Sequence, residues 1–288
     1  PVFVYQISGW LILGTYSFLS SLITTSGRAG FGIEQALSSR YTTHSIYLPV
    51  ALIYLTTIIT NQLALDFPKS QKSVNKLVML LATIFLILHS LSYAYGFRQM
   101  IYFGQEHLRI KACLLWINLV PEECLTQYVV PDLKFLSQTA NELNRFGLLQ
   151  PGLIKTKKLE EIQGSTQSDN SRYGNFEVLE RVGKSDYTAK GWAVLPDQLE
   201  IAHAVILAYE QPDGSSIAFA VSEDRRDRKD VVTVLKNPTY QRSGWEKTFP
   251  ASRVPKSADQ ISAWAFDANT GRAFRLHNQH KISEAVTP

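Results

Sequence analysis

The chain has 288 residues, 45% of them hydrophobic, with a mean hydropathy of −0.06 and a formal net charge of +4. Residues 1–100 hold six Lys/Arg against two Asp/Glu, whereas residues 101–288 hold 23 of each, so the whole excess sits in the first hundred residues. This argues against a soluble nucleic-acid binder, which needs a concentrated basic face, and the abundant aromatics argue against a long disordered chain.

Three long runs in the first hundred residues contain no Asp, Glu, Lys or Arg: residues 2–25, 46–65 and 77–97. A helix crossing a hydrocarbon core needs roughly 20 apolar residues, and helices satisfy the backbone where water is absent. Region 1–97 therefore reads as three transmembrane helices, the competing reading being buried helices of a large soluble domain. The first run lacks the basic start and small-residue cleavage site of a signal peptide. The chain opens at Pro1 with no Met and no basic leader, and we expect it to be the C-terminal portion of a polytopic protein with further spans upstream.

The loop between the second and third runs carries Lys69, Lys72 and Lys76, and the loop between the first and second carries Arg28 and Arg40 against Glu34. The positive-inside rule places the lysine loop in the cytoplasm. The arginine loop and everything after Phe97 then face outward. Cys113 and Cys124, the chain's two cysteines, lie in this outward part and read as a disulfide, with two unrelated buried thiols as the alternative. No second Cys or His pair stands at ligand spacing, so no metal and no cofactor is expected.

Residues 98–150 read as an amphipathic helical collar. Leu133, Leu136, Ala140, Leu143 and Phe146 recur at helical steps, Pro131 and Asp132 suit a helix start, and Gly147 suits its end. The third membrane helix is expected to continue outward toward Arg109. Residues 151–174 read as a linker, being polar over 155–174.

From about Asn175 the period changes to two. Strands are expected at 176–181, 189–195, 203–209, 216–221, 260–267 and 272–277, with a further one around 245–249 and a short helix at 230–235. Asp213–Gly214 and Asn269–Gly271 are hairpin signals. Region 175–288 reads as an antiparallel β-sandwich, with a partly open barrel as the alternative. The expected class is thus α+β, three transmembrane helices followed by a collar and a sandwich. Trp192, Trp245 and Trp264 either fill the core or line a sugar-binding face.

Chemistry-bearing groups concentrate in Ser26–Ser45, SGRAGFGIEQALSSRYTTHS. Arg28 and Arg40, with Tyr41 beside them, suit a lipid phosphate through their planar donors. Glu34 is a candidate general base if burial raises its pKa. Ordinary interfacial snorkelling explains the same arginines without function. His89 lies within the third span, where a neutral ring bonded to a neighbour accounts for it. His277 and His280 lack a local carboxylate or Cys partner for zinc. The Arg225–Lys229 run reads as a solvated turn. No G-x-S-x-G, Walker, HExxH or dinucleotide fingerprint is present.

The run GRAGFGIEQALSSRYTTHS resembles a motif of large multi-pass bacterial envelope membrane proteins with a C-terminal extracytoplasmic β domain. GWAVLP at Gly191–Pro196, RSGWEKTF at Arg242–Phe249 and ISAWAFDANTGRAFRL at Ile261–Leu276 extend the resemblance over nearly the whole chain. Some members are similar to multi-span lipid-linked-sugar glycosyltransferases. The resemblance implies a polytopic architecture in the bacterial inner membrane and supplies no reaction of its own; the analogy with those glycosyltransferases suggests a role in lipid-linked glycan transfer or assembly. A polyprenyl-phosphate-linked sugar would then meet Arg28, Glu34 and Arg40, and the outward β domain would recognise an envelope glycan or protein. A non-enzymatic membrane-anchored scaffold is the alternative. A transporter is less consistent, because the spans carry no paired charges.

Overall fold

The structure is a computed structural model and describes residues 2–28, 46–68, 71–120, 123–126, 132–165, 172–183 and 185–282. The chain divides into two compact units, Pro1–Phe97 and Arg98–Pro288.

The first unit contains α1 (Val2–Arg28), α2 (Tyr47–Asp66) and most of α3 (Gln71–Leu115). All three are long and apolar enough to cross a membrane. Their outer surfaces expose Ile12, Phe18, Ile53, Leu80 and Leu86, an arrangement that suits lipid as the solvent. Helices α1 and α2 pack through small residues: a Cβ added to Gly14 would lie 3.3 Å from the Ala51 Cβ. In lipid such close packing, rather than water exclusion, draws helices together. Trp10 stacks on Tyr54 with ring centroids 4.0 Å apart.

In the second unit, α3 runs beyond the expected Arg109 to Leu115. It is followed by the short α4 (Glu123–Thr126) and by α5 (Leu133–Arg145). The cap of α5 is as expected: the Asp132 side chain accepts a hydrogen bond from the Phe135 N–H, 3.0 Å away, satisfying one of the first-turn donors. Gly147 follows the helix with φ 71°, a conformation that costs glycine little. Cys113 and Cys124 are joined as a disulfide, with Cα atoms 5.8 Å apart.

The strands fall where the alternation places them. They are β1 (Gly174–Val182), β2 (Asp186–Leu195), β3 (Glu200–Ile201), β4 (Ala204–Glu210), β5 (Ser216–Ser222), β6 (Gly244–Pro250), β7 (Gln260–Asp267) and β8 (Arg272–Lys281). A short α6 (Lys229–Leu235) separates β5 from β6. Their arrangement differs from two facing antiparallel sheets. The path β3-β2-β1-β8-β7-β4-β5 is continuous, with β6 paired to the other side of β2. A parallel contact, Asn175 opposite His277, joins β1 to β8 and makes one mixed sheet, curled into a half-barrel. Its edges approach each other where the Ser222 hydroxyl donates to the Glu246 carbonyl at 2.8 Å and where Arg226 bridges to Gly244.

The physical reason lies in what covers each face. On the concave side, Phe176, Leu179, Val205, Leu207, Trp245, Phe249 and Ile261 form one core. On the other side, Ile206, Trp264 and Phe266 pack against Ala112, Leu115, Trp116 and Leu125 of the helical layer. The Trp116 and Phe266 rings meet edge-on at 5.7 Å. Strands β4 and β7 are thus buried on both faces, so helices supply the second layer that a sandwich takes from another sheet. The stretch read as a linker also belongs to this layer over its described part. Leu153, Ile154 and Leu159 are buried, and Lys158 and Gln163 form bridges to Ile217 and Ala273.

Candidate functional site

A cleft of about 760 Å³ opens on the second unit. Four chain segments build it. Glu160, Gln163, Gly164 and Ser165 come from the segment ahead of β1, and Tyr173 immediately precedes that strand. Asp197 and Gln198 come from the turn after β2. Asp267 and Thr270 come from the β7–β8 turn, and Arg272 and Phe274 from β8.

Glycine sets one wall. The Gly164 N–H donates to the Ala273 carbonyl at 3.0 Å, which lays this backbone along β8. A Cβ on Gly164 would fall 2.1 Å from the Phe274 ring, so only glycine lets the ring lie against the backbone. Phe274 then stacks on Tyr173 with centroids 4.3 Å apart and planes 10° apart. Tyr173 is buried, and Phe274 keeps a partly exposed edge.

The rim and floor are polar. Asp197 pairs with Arg172 at 2.7 Å. Burial, followed by the neighbouring Asp197 charge, pushes the Tyr173 phenol above its ordinary value, Arg172 working in the opposite direction. Glu160 accepts from the Ser216 N–H at 2.8 Å. Among the described residues, the Gln163 and Arg272 side chains have no hydrogen bond or ion pair of their own, which leaves both for a ligand.

Asp267 anchors the floor and is 1% exposed. Its carboxylate accepts from Gln198 Nε2 at 2.6 Å, from Thr270 Oγ1 at 2.7 Å and from the Asn269 N–H at 2.8 Å. His203 Nδ1 lies 3.3 Å from Oδ1. Burial by itself would raise the pKa of this group. Hydrogen bonding from His203, Thr270, the Asn269 N–H and Gln198 outweighs burial and holds it well below the usual carboxylate range. Asp267 therefore ties the turn after β2 to the β7–β8 turn.

None of the expected site residues that the structure describes lines this cleft. Arg28 is the last residue of α1, but its side chain, together with Glu34, Arg40 and Tyr41, lies outside the described residues. Trp245 and Trp264 are each 1% exposed and sit in the two cores. Trp192 is partly buried against Val194 and Ile201. Sequence reasoning missed Glu160, Gln163, Asp197, Arg272 and Phe274 as a group, because they converge from distant segments. A signal was nonetheless present. Asp197 and Gln198 directly follow GWAVLP, and Asp267, Thr270, Arg272 and Phe274 all lie within ISAWAFDANTGRAFRL. Residues within one of these stretches and residues directly after the other thus meet at one cleft.

A smaller cleft of about 420 Å³ lies in the first unit between α1 and α2, lined by Gln6, Trp10, Asn61 and Gln62 among others. No known family model matches the chain, and no curated protein or solved structure matches it.

Proposed function

We propose that the chain belongs to a bacterial inner-membrane protein acting in envelope glycan assembly. Its outward β unit binds a saccharide in the Asp197–Arg272–Phe274 cleft. The observation that carries this reading is the composition of the cleft. Carboxylates and amides (Glu160, Asp197, Gln163, Gln198) accept hydrogen bonds from hydroxyls. Arg272 and Ser165 donate to them, the Thr270 hydroxyl, whose proton goes to Asp267, can accept, and the partly exposed Phe274 offers an apolar surface to sugar C–H groups. A polyhydroxylated ligand uses all three kinds of group at once. Three helices able to span a membrane and a disulfide in the attached unit fit an envelope location. In this reading Arg28, Arg40 and Tyr41 hold the phosphate of a polyprenyl-linked sugar, and Glu34 is the candidate base.

The binding part is tested with the full chain in detergent micelles against a panel of envelope oligosaccharides. We expect at least one to bind, and Arg272→Ala and Phe274→Ala each to weaken it about tenfold, near 1.4 kcal/mol. Failure of the whole panel, or unchanged affinity in both variants, would sink it. The transfer part is tested separately in cells that produce the protein. Arg28→Ala with Arg40→Ala should abolish surface glycan, and normal glycan in that strain refutes it.

A further inference from the structure

A second cluster lies outside the cleft. Cys113 in the last turn of α3, Cys124 in α4 and Glu223 just after β5 place two sulfurs and a carboxylate oxygen within 4.8 Å of one another. All three residues are buried, at 3%, 5% and 6% exposure. Glu223 is about 100 residues from either cysteine in sequence, so local spacing gave no sign of it.

Glu223 needs an explanation. Its Oε2 is buried and has no hydrogen-bond partner among the described residues. A buried carboxylate oxygen left without a partner is costly, and such groups in native proteins commonly face an ion or water. Its neighbours Cys113 and Cys124 belong with Ala112, Leu115, Trp116 and Leu125 to the apolar core on the helical side of the sheet, a water-poor shell that strengthens ligand–ion attraction.

We propose that, when its cysteines are reduced, the protein binds a zinc-class divalent cation through Cys113 Sγ, Cys124 Sγ and a Glu223 carboxylate oxygen. Two thiolates and one carboxylate are an ordinary zinc donor set, and sulfurs about 2.3 Å and oxygens about 2.1 Å from a tetrahedral metal fit inside this spacing. Charge also balances. Two thiolates and a carboxylate carry −3, a dication leaves −1, and Arg225 lies close enough to feel Glu223 together with Arg109 and Arg242. A fourth position is left for water or substrate.

The disulfide and the metal are alternative closures of the same loop. An external dithiol reduces the disulfide: its thiolate attacks one cysteine sulfur, the S–S bond breaks, and the second thiol of the reductant releases the mixed disulfide. The reductant ends as its own disulfide and the chain carries two thiols. The cation then displaces the two thiol protons as it binds.

The test uses the full chain in micelles, reduced with a phosphine, exchanged under inert gas and titrated with Co²⁺ and Zn²⁺. Reduced protein should take up a single Co²⁺ with a thiolate-to-metal charge-transfer band, and oxidised protein should show none. Cys113→Ala should abolish the band, and Glu223→Gln should weaken binding about tenfold or more. Near-UV circular dichroism of oxidised Glu223→Gln checks its fold. If that variant does not fold, X-ray absorption of the zinc-loaded wild type replaces it, with a shell of two sulfurs plus oxygen expected. No stoichiometric uptake by reduced wild type, equal affinity in folded Glu223→Gln, or a shell lacking either sulfur or oxygen overturns the proposal.

Discussion

Asp267→Ala is the substitution whose cost follows most directly from the geometry. The carboxylate is 1% exposed and accepts from Gln198, Thr270 and the Asn269 N–H at 2.6–2.8 Å. A hydrogen bond to a charged group contributes about 1.5–3 kcal/mol. Gln198 and Thr270 are surface residues and can turn to water after the truncation, so their bonds are partly replaced. The backbone N–H of the tight β7–β8 turn cannot reorient. The net cost is then about 3–5 kcal/mol, which for a unit of this size lowers the melting temperature by roughly 10 °C. The pH dependence has a definite sign. Because the folded-state pKa is depressed, the stabilisation is fully present above the unfolded value of about 3.9 and fades as pH falls toward the folded value. The gap between wild type and variant should be constant from pH 7 to about pH 5. Below about pH 4 it should close at roughly 1.4 kcal/mol per pH unit. Thermal melts of the full chain in detergent, followed by near-UV circular dichroism, measure this. A variant melting within about 2 °C of wild type at pH 7, or a gap that does not narrow in acid, would refute the reasoning.

Three further outcomes are expected. Gly191→Ala puts a Cβ 2.1 Å from the Asn175 carbonyl and 3.0 Å from the Trp245 ring, so it should cost about 3 kcal/mol or more and reduce the yield of folded protein; near-normal yield and melting would contradict the strand contact. Replacing Cys113 and Cys124 together by Ala removes a link with a sequence separation of 11, worth about 2.8 kcal/mol by loop entropy, and a non-reducing melt equal to wild type would show that no such link operates. Hydrogen bonding from Arg228 holds the Asp230 pKa down at about 2, against a small opposing effect of burial; Arg228→Gln should return its carboxyl NMR titration toward about 3.9, and an unmoved midpoint would exclude Arg228 as the cause.

What could be read from the sequence depended on how local the determining physics was. The charge-free runs give the apolar helices because length and composition alone fix them. Asp132 and Gly147 mark the ends of α5 because caps act within one turn. Hairpins at Asp213–Gly214 and Asn269–Gly271 are equally local. The choice between a sandwich and the partly open barrel, to which the curled sheet is nearer, was not legible, because Trp264 and Phe266 face outward from the strand toward Trp116 rather than a second sheet, and alternation shows a face without showing its cover. The cleft escaped for the same reason: Gln163, Asp197 and Arg272 meet only once β1, β2 and β8 are side by side. The loop holding Glu34 and Arg40 is the one place where residue types pointed to chemistry directly.

The two-sided burial of β4 and β7 bears on where this chain can be cut. The last turns of α3 contribute Ala112, Cys113 and Leu115 to the core, and Trp116 follows immediately. The segment around Leu153–Leu159 contributes more. A fragment beginning near Asn175 would keep every strand yet leave Ile206, Trp264 and Phe266 facing water, a continuous apolar surface that invites aggregation. A soluble derivative must instead start within α3, ahead of Arg109, where the helix has already left its charge-free run. The strands are therefore not a transplantable cassette, and gene fusions that swap this half between proteins should carry the helix end along with it.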